Sequence, residues 1–469
     1  MHVFFSGIGG VGISPLASIA KQLGHEVSGS DKQHSQYLDS LKAQGISELF
    51  VGQSVEQIDA LHAKKPIDWY VYSSAVKEEN PELVYARSKG IKVSKRGEFI
   101  NHVIKEKRLK LIAIAGTHGK TTTTAMVAWL FKQLDVPISY LVGTKVSFGD
   151  MGQYEDKSEY FVYECDEFDR NFLAFEPYIG VISGVSWDHH EIYPTREDYK
   201  KAFREFISHS KWTILWQDDA EYLGLAETGS ISVQDSSNIQ IQHINLRGKY
   251  NRLDGWLAIQ AIHEVTNTPI EQLVKLIAGF PALHRRMEEI VPGLYSDEAH
   301  TPDKIRGAMS VALETSSSNQ RRQSLTDGKE QASTASESYQ KAYGERGAEK
   351  VTKSDAKRTP SGNVVVVYEP LTNRRQHHMI NDYGDCFKGA KKVYWIPSYL
   401  AREDPKDRII PPAELISHLA DPSIAEAAKR DEKLKSVIAK HLKNGDTVVA
   451  MAGGGGDSLD EWARENFKK

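Results

Sequence analysis

Two glycine-rich loops hold the residues whose types and spacing suit chemistry. The more specific is Ala115-Gly116-Thr117-His118-Gly119-Lys120-Thr121-Thr122, set between an apolar run at 111–115 and a helix-like stretch at about 121–134. Backbone N–H groups of such a loop cradle phosphates, the lysine reaches the terminal phosphates, and the adjacent hydroxyl suits a magnesium ion. Gly116, Thr117, His118, Gly119, Lys120, Thr121 and Thr122 are therefore assigned to ATP binding. The loop is a short variant of the GxxxxGK[ST] form, because position 114 is Ile rather than Gly.

Two further strand ends supply polar groups. Glu164 closes the apolar run 160–163, with Asp166 and Glu167 just beyond, and Asp188-His189-His190-Glu191 follows a run ending at Val185. In open parallel sheets ligands sit at the carboxyl ends of strands, so Gly116, Glu164 and His189 are expected to converge on one magnesium-nucleotide site. A hydroxyl, a carboxylate and an imidazole are reasonable partners for a divalent ion bridging phosphates, which makes Thr121, Glu164 and His189 the expected metal ligands.

The other loop, Gly7-Ile8-Gly9-Gly10-Val11-Gly12, follows an apolar run and opens a helix-like stretch at 15–24. Glycines there allow a tight turn and let backbone N–H groups approach a diphosphate at a helix N-terminus. Asp31 closes the next apolar run, 19 residues after Gly12, where an acid would meet a ribose hydroxyl. The loop alone does not separate a nicotinamide dinucleotide from a UDP-sugar.

These loops need elements to position them. The chain has 469 residues, enough for about three domains of ordinary size. Apolar runs alternating with helical segments predict α/β domains with parallel sheets. Helical spacing of Trp256, Ile259, Ala261 and Ile262 predicts a helix over 254–265, and Thr301-Pro302 reads as a helix start. From 315 to about 362 the chain is rich in Ser, Thr, Gln, Lys, Glu and Gly, and reads as a flexible insertion unable to bury enough apolar surface to order itself. A net charge of -4 argues against nucleic-acid or polybasic membrane binding. The absence of a long apolar run argues against membrane insertion. With two cysteines and no signal-like N-terminus, a cytoplasmic setting is expected.

Taken in order, the motifs resemble those of the Mur ligase family, the ATP-dependent amide-forming enzymes of peptidoglycan synthesis. GIGGVG, VSGSD, SSAV with ENPEL, and AGTHGKTTTT occur in the family's order. ECDEFDRNFL is similar to its EADExD segment, WDHHEIY to DHxDxY, and GKYNRLDGWLAIQA to its adenine-contacting GxHNxxNxxAA helix. HRRMEEI is similar to xRRFE, DEAHTPDKI to DYAHHPTEI, and GGGGD to GAGD. The chain departs from the pattern at Asp254, Glu298 and Thr301, which stand where the family usually has Asn, an aromatic residue and His.

The resemblance implies three domains: a Rossmann-like UDP-sugar domain at 1–107, a P-loop ATPase domain at 108–280, and a Rossmann-like amino-acid-binding domain at 281–469 that carries the insertion. Gly9, Gly10, Val11, Gly12, Asp31 and Ser74 would hold UDP-N-acetylmuramate. Asn251 would contact adenine, and Arg286 and Asp297 would reach the nucleotide. Lys120, Glu164, His189 and Arg286 would be catalytic, with ATP and Mg2+ required. His300, Arg374 and Arg375 would bind the amino acid, an arginine being suited to a carboxylate. The implied reaction joins L-alanine to the sugar nucleotide through an acyl phosphate in a monomer or homodimer. The alternative is addition of a recycled tripeptide, since Glu369-Pro370-Leu371-Thr372-Asn373 is similar to the EPxSN segment of that branch.

Overall fold

The computed structural model describes residues 1–189, 192–326, 363–400, 408–453 and 458–467. Strands β1 (His2–Ser6), β2 (Glu26–Asp31), β3 (Leu49–Val51), β4 (Trp69–Tyr72) and β5 (Lys92–Lys95) form a parallel sheet in the order β3-β2-β1-β4-β5. A second sheet is built from β6 (Lys110–Ala115), β7 (Ser139–Leu141), β8 (Gly152–Gln153), β9 (Tyr160–Glu164), β10 (Ile179–Ile182), β11 (Trp212–Trp216) and β12 (Ile231–Gln234). Its order is β12-β11-β10-β6-β9-β7-β8, antiparallel only between β7 and β8. The third holds β13 (Glu288–Val291), β14 (Leu294–Asp297), β15 (Val364–Glu369), β16 (Lys392–Trp395), β17 (Ala425–Ala427) and β18 (Thr447–Ala452) in the order β13-β14-β18-β15-β16-β17. Only β13 and β14 pair antiparallel there. Three α/β sheets thus match the expected architecture.

The strands are apolar because helices cover both faces of parallel sheets. In β6 every residue but Lys110 is buried. Residues Met1–Leu246 and Tyr250–His284 form one compact unit, and Arg247–Lys249 with Arg285–Lys469 form another. The first two sheets share a hydrophobic cluster in which Phe5, Trp69 and Phe99 are buried with Leu111, Phe161 and Phe175. The third has its own, around Tyr368, Tyr383, Phe387 and Trp395.

The polar segment is shorter than its composition predicts. The helix Pro302–Thr326 runs well past Thr315. Thr315 and Ser316 are buried, and the Ser317 and Ser318 hydroxyls donate to the carbonyls of Leu313 and Glu314 at 2.9 Å. Hydroxyls satisfied within the helix make a polar sequence compatible with it. Residues 327–362 lie outside the described residues. The helices expected at 15–24, 121–134 and 254–265 are Ser14–Gln22, Lys120–Gln133 and Lys249–Thr266.

One buried acid ties the first sheet's carboxyl edge together. Asn80 caps the helix Pro81–Ser88, accepting the N–H groups of Glu82 and Leu83. Glu82 is fully buried and accepts hydrogen bonds from Ser6 Oγ (3.2 Å) and Ser30 Oγ (2.6 Å), at the ends of β1 and β2. Burial pushes its carboxyl up to about 7, against the two serine hydrogen bonds, and Asp31 pushes the same way. Because the folded value lies above the unfolded one, near 4.5, stability from this group is whole below pH 4.5 and is lost as pH rises through about 7. The loss is on the order of 3 kcal/mol. Glu82→Gln is therefore expected to melt with the wild type near pH 5 and several degrees above it near pH 8. Parallel melting curves at both pH values would show that Glu82 does not titrate in this range.

Candidate active site

Strand β6 lies between β9 and β10, so the three segments leaving their carboxyl ends are neighbours. From β6 comes the loop 116–119, from β9 the acids 164–167, and from β10 the segment 183–189. Thr117 N–H donates to Gly184 O at 2.8 Å, and Ser183 N–H to Ala115 O at 2.9 Å, locking the first segment to the third. Gly119 is the N-cap of the helix Lys120–Gln133 with φ of 77°, a left-handed conformation that favours glycine. No side chain caps that helix. Its first N–H groups are oriented as an anion site requires, with the positive end of the helix dipole behind them.

Lys120 Nζ donates to Gly116 O at 2.6 Å and to Glu167 Oε2 at 2.7 Å. The pair is nearly cut off from solvent, with side-chain exposures of 13% and 1%. Burial by itself would raise the Glu167 carboxyl, but Lys120 and His189 overcome it and bring it to about 2. Burial would likewise lower Lys120, and Glu167, Asp166 and Glu164 outweigh it and hold the ammonium charged. His189 Nε2 stands 3.5 Å from Glu167 Oε1 and is raised by that hydrogen bond and by Asp188, against its burial.

The expected metal ligands divide into two groups. A side chain at Gly143 would meet Glu164 Oε2 at 2.6 Å and Thr121 Oγ1 at 3.6 Å, so these two border one small space. His189 instead gathers with Asp166 and Glu167, their ligand atoms all within 4.8 Å of one another. Glu167, which no motif argument singled out, joins Lys120 to His189. The available signal was its place in the acid run after β9. His190 and Glu191 lie outside the described residues.

Two buried tyrosines fix these segments. Tyr193 OH donates to Glu167 O at 2.6 Å, and Tyr193 N–H to His189 O at 2.9 Å. Tyr199 OH is hydrogen-bonded to Thr117 Oγ1 at 2.8 Å, and Thr117 Oγ1 also donates to Ser186 O at 2.7 Å. The rings meet edge to face at 4.9 Å. His118 packs against Gly184, and Asp254 against Gly119, so Asp254 sits beside the loop that Thr122 also borders. Asn251 is half-buried in the first turn of the helix Lys249–Thr266.

At the end of the first sheet, Gly9 N–H donates to Asp31 Oδ2 and Ser35 Oγ donates to Gly9 O, both at 2.9 Å. Asp31 is thus held against the loop formed by Gly9, Gly10, Val11 and Gly12. Val11 and Ser74 are exposed.

In the other unit, Asp297 ends β14 and accepts the N–H groups of Met287 and Ala299, each at 2.9 Å. Burial pushes its carboxyl up to about 6, and Arg286 opposes this. Arg286 stands 3.3 Å from Glu298, so the departing acid has a cationic partner. His300 Nδ1 donates to Glu298 O at 2.6 Å. Burial, then Lys304, Arg375 and Arg286, hold its ring well below the usual histidine range, and it stays neutral. Arg374 and Arg375 open the helix Asn373–Met379, the first exposed and the second half-buried. Glu369 accepts Leu459 N–H at 2.7 Å and faces Arg430 at 3.4 Å, so it holds the fold rather than projecting to a ligand. Of the final glycine run, 454–456 lie outside the described residues.

Removing one member of a buried ion pair leaves the other uncompensated, at a cost of about 3–5 kcal/mol. Glu167→Ala is expected to lower the melting temperature accordingly. A nucleoside triphosphate added without divalent ions should then raise it by more than in the wild type, because a phosphate takes the vacated place beside Lys120. Equal nucleotide-induced shifts in the two proteins would refute the pairing as drawn.

Comparison with known proteins adds a second line of argument. Residues 2–108 match the Mur ligase family catalytic domain, and 114–247 the Mur ligase middle domain. A UDP-N-acetylmuramate–L-alanine ligase of Clostridium acetobutylicum is 28% identical over 96% of this chain and 95% of its own. That of Clostridium tetani is 28% identical over the same shares. Among solved structures, the UDP-N-acetylmuramate–alanine ligase MurC of Thermotoga maritima shares the fold with a TM-score of 0.69 at 20% identity, covering 99% of this chain and 98% of that one. A murein peptide ligase of Psychrobacter arcticus matches with a TM-score of 0.59 at 19% identity, over 97% and 96%. With two successive family domains, relatives aligned end to end and a shared three-sheet fold, the chain belongs to the Mur ligase family.

Proposed function

We propose that this protein is an ATP-dependent ligase that joins L-alanine to the carboxylate of UDP-N-acetylmuramate in peptidoglycan synthesis. Division of labour among segments 1–107, 108–280 and 281–469 is part of the same reading. The observation that carries it is the cluster around Lys120, set at the carboxyl end of β6 between acids from β9 and the histidine segment from β10, in a chain aligned end to end with alanine-adding relatives.

A carboxylate is a poor electrophile, so a leaving group has to be installed. A muramoyl carboxylate oxygen attacks the γ-phosphorus of ATP, ADP departs, and an acyl phosphate results. The amine of alanine, having lost a proton, attacks the acyl carbon and expels phosphate, leaving an amide. Two anions meet in the first step, so fixed positive charge and N–H groups must surround the transferring phosphoryl group. Lys120 and the uncapped helix start at Gly119 supply these. The oxygen-rich donor sets fit magnesium, with Thr121 and Glu164 on one side and His189 with its acidic neighbours on the other. A bound Mg2+ would neutralise phosphate charge there. Thr117, held by Tyr199, keeps the loop in shape. Gly9, Gly10, Gly12 and Asp31 hold the sugar nucleotide, and Asn251 the adenine. Arg374 and Arg375 supply the positive charge for the amino acid's carboxylate, and His300 joins them as a neutral ring.

Phosphate release from ATP and Mg2+ with UDP-N-acetylmuramate tests this, in parallel reactions with L-alanine, glycine, L-serine or L-Ala-γ-D-Glu-meso-diaminopimelate. Release is expected with L-alanine, and Lys120→Ala should lower it by at least about a thousandfold. Release confined to the tripeptide would move the protein to the recycling branch, and silence with every acceptor would remove the ligase reading.

A further inference from the structure

Arg96 belongs to none of the motifs, yet it reaches the first glycine loop. It opens the helix Arg96–Glu106 directly after β5. Its guanidinium lies so close to Gly12 that a Cβ at that position would run into Nη1. A side chain at position 12 would have to push the guanidinium aside. On its other side, Nη2 stands 3.6 Å from Asp166 Oδ2.

The guanidinium has Asp166 and Glu164 as acidic neighbours on one side and a helix start on the other. Gly12 leads into the helix Ser14–Gln22, which has no side-chain N-cap and no acid in its first turn. A helix N-terminus carries partial positive charge, and a guanidinium beside it is repelled unless an anion is shared between them. Asp31, the nearby acid of this loop, is already engaged by Gly9 N–H. Asp166 faces the guanidinium from the second sheet's side, leaving the loop side for an incoming anion.

The geometry points to Arg96 as a direct ligand of the sugar nucleotide's diphosphate, its planar fork supplementing the loop's N–H groups. This assignment rests on the sugar-nucleotide reading above and adds a residue to it. Consecutive acids then hold the two cations of the reaction: Asp166 holds Arg96 toward the first loop, and Glu167 holds Lys120 in the second. Their spacing couples the place of the acceptor to that of the phosphoryl donor.

Binding of UDP, uridine and ADP to wild type, Arg96→Ala and Arg96→Lys, by calorimetry for the nucleotides and ligand-observed NMR for uridine, tests it. Arg96→Ala is expected to weaken UDP at least tenfold and to flatten its salt dependence, with uridine and ADP unchanged. Arg96→Lys should recover part of the loss. Unchanged UDP affinity in Arg96→Ala, or equal losses for uridine and UDP, would overturn the assignment. A wild type indifferent to UDP would instead overturn the sugar-nucleotide reading, and the assignment with it.

Discussion

A lysine ammonium and a glutamate carboxylate, both nearly withdrawn from water, face each other at the end of β6, and the centre depends on that pairing. Neither charge is tolerable alone in such a place. Glu167 keeps Lys120 charged, and Lys120 holds the Glu167 carboxyl far below its ordinary range. The lysine is therefore held charged at the start of its helix. His189 is drawn toward the same carboxylate, so one buried acid orients two groups from separate segments.

The pairing requires segments from three strands to stay in place, and the order of the second sheet arranges this. Because β6 lies between β9 and β10, their ends are adjacent without long excursions. Tyr193 and Tyr199 then fasten the ends to one another through a backbone carbonyl of one segment and a hydroxyl of another. The first sheet is joined to the second by shared apolar residues, which gives Arg96 a fixed base from which to reach Gly12 and Asp166.

Much of this was legible in the residues. Apolar runs such as 111–115 and 160–163, and the glycine loop after the first, carry strong local signals, and the strands and helix they predict are present. Edge strands such as β3, β8 and β17 are too short and too exposed to carry a periodic pattern. The helix beyond Thr315 was hidden because its hydroxyls are satisfied internally, which composition does not reveal. The convergence of Gly116, Glu164 and His189 on one region followed from strand-end logic. The division of Thr121 and Glu164 from His189 did not, because it depends on side-chain directions after the strands end. The pairing of Glu167 and the reach of Arg96 escape the sequence for a related reason: each acts across elements, and spacing along the chain does not record who faces whom.

The Lys120–Glu167 contact also bears on turnover. On the proposed reading, a phosphate entering this loop replaces Glu167 as the partner of Lys120, so it gains less than it would from a lysine with no partner. Affinity is lower as a result, but departure is easier: as products loosen, the carboxylate is at hand to recapture the ammonium, and the leaving anion is replaced rather than torn from an uncompensated charge. Glu167 is, on that reading, a resident competitor for the phosphates that the ligase has to release in every cycle.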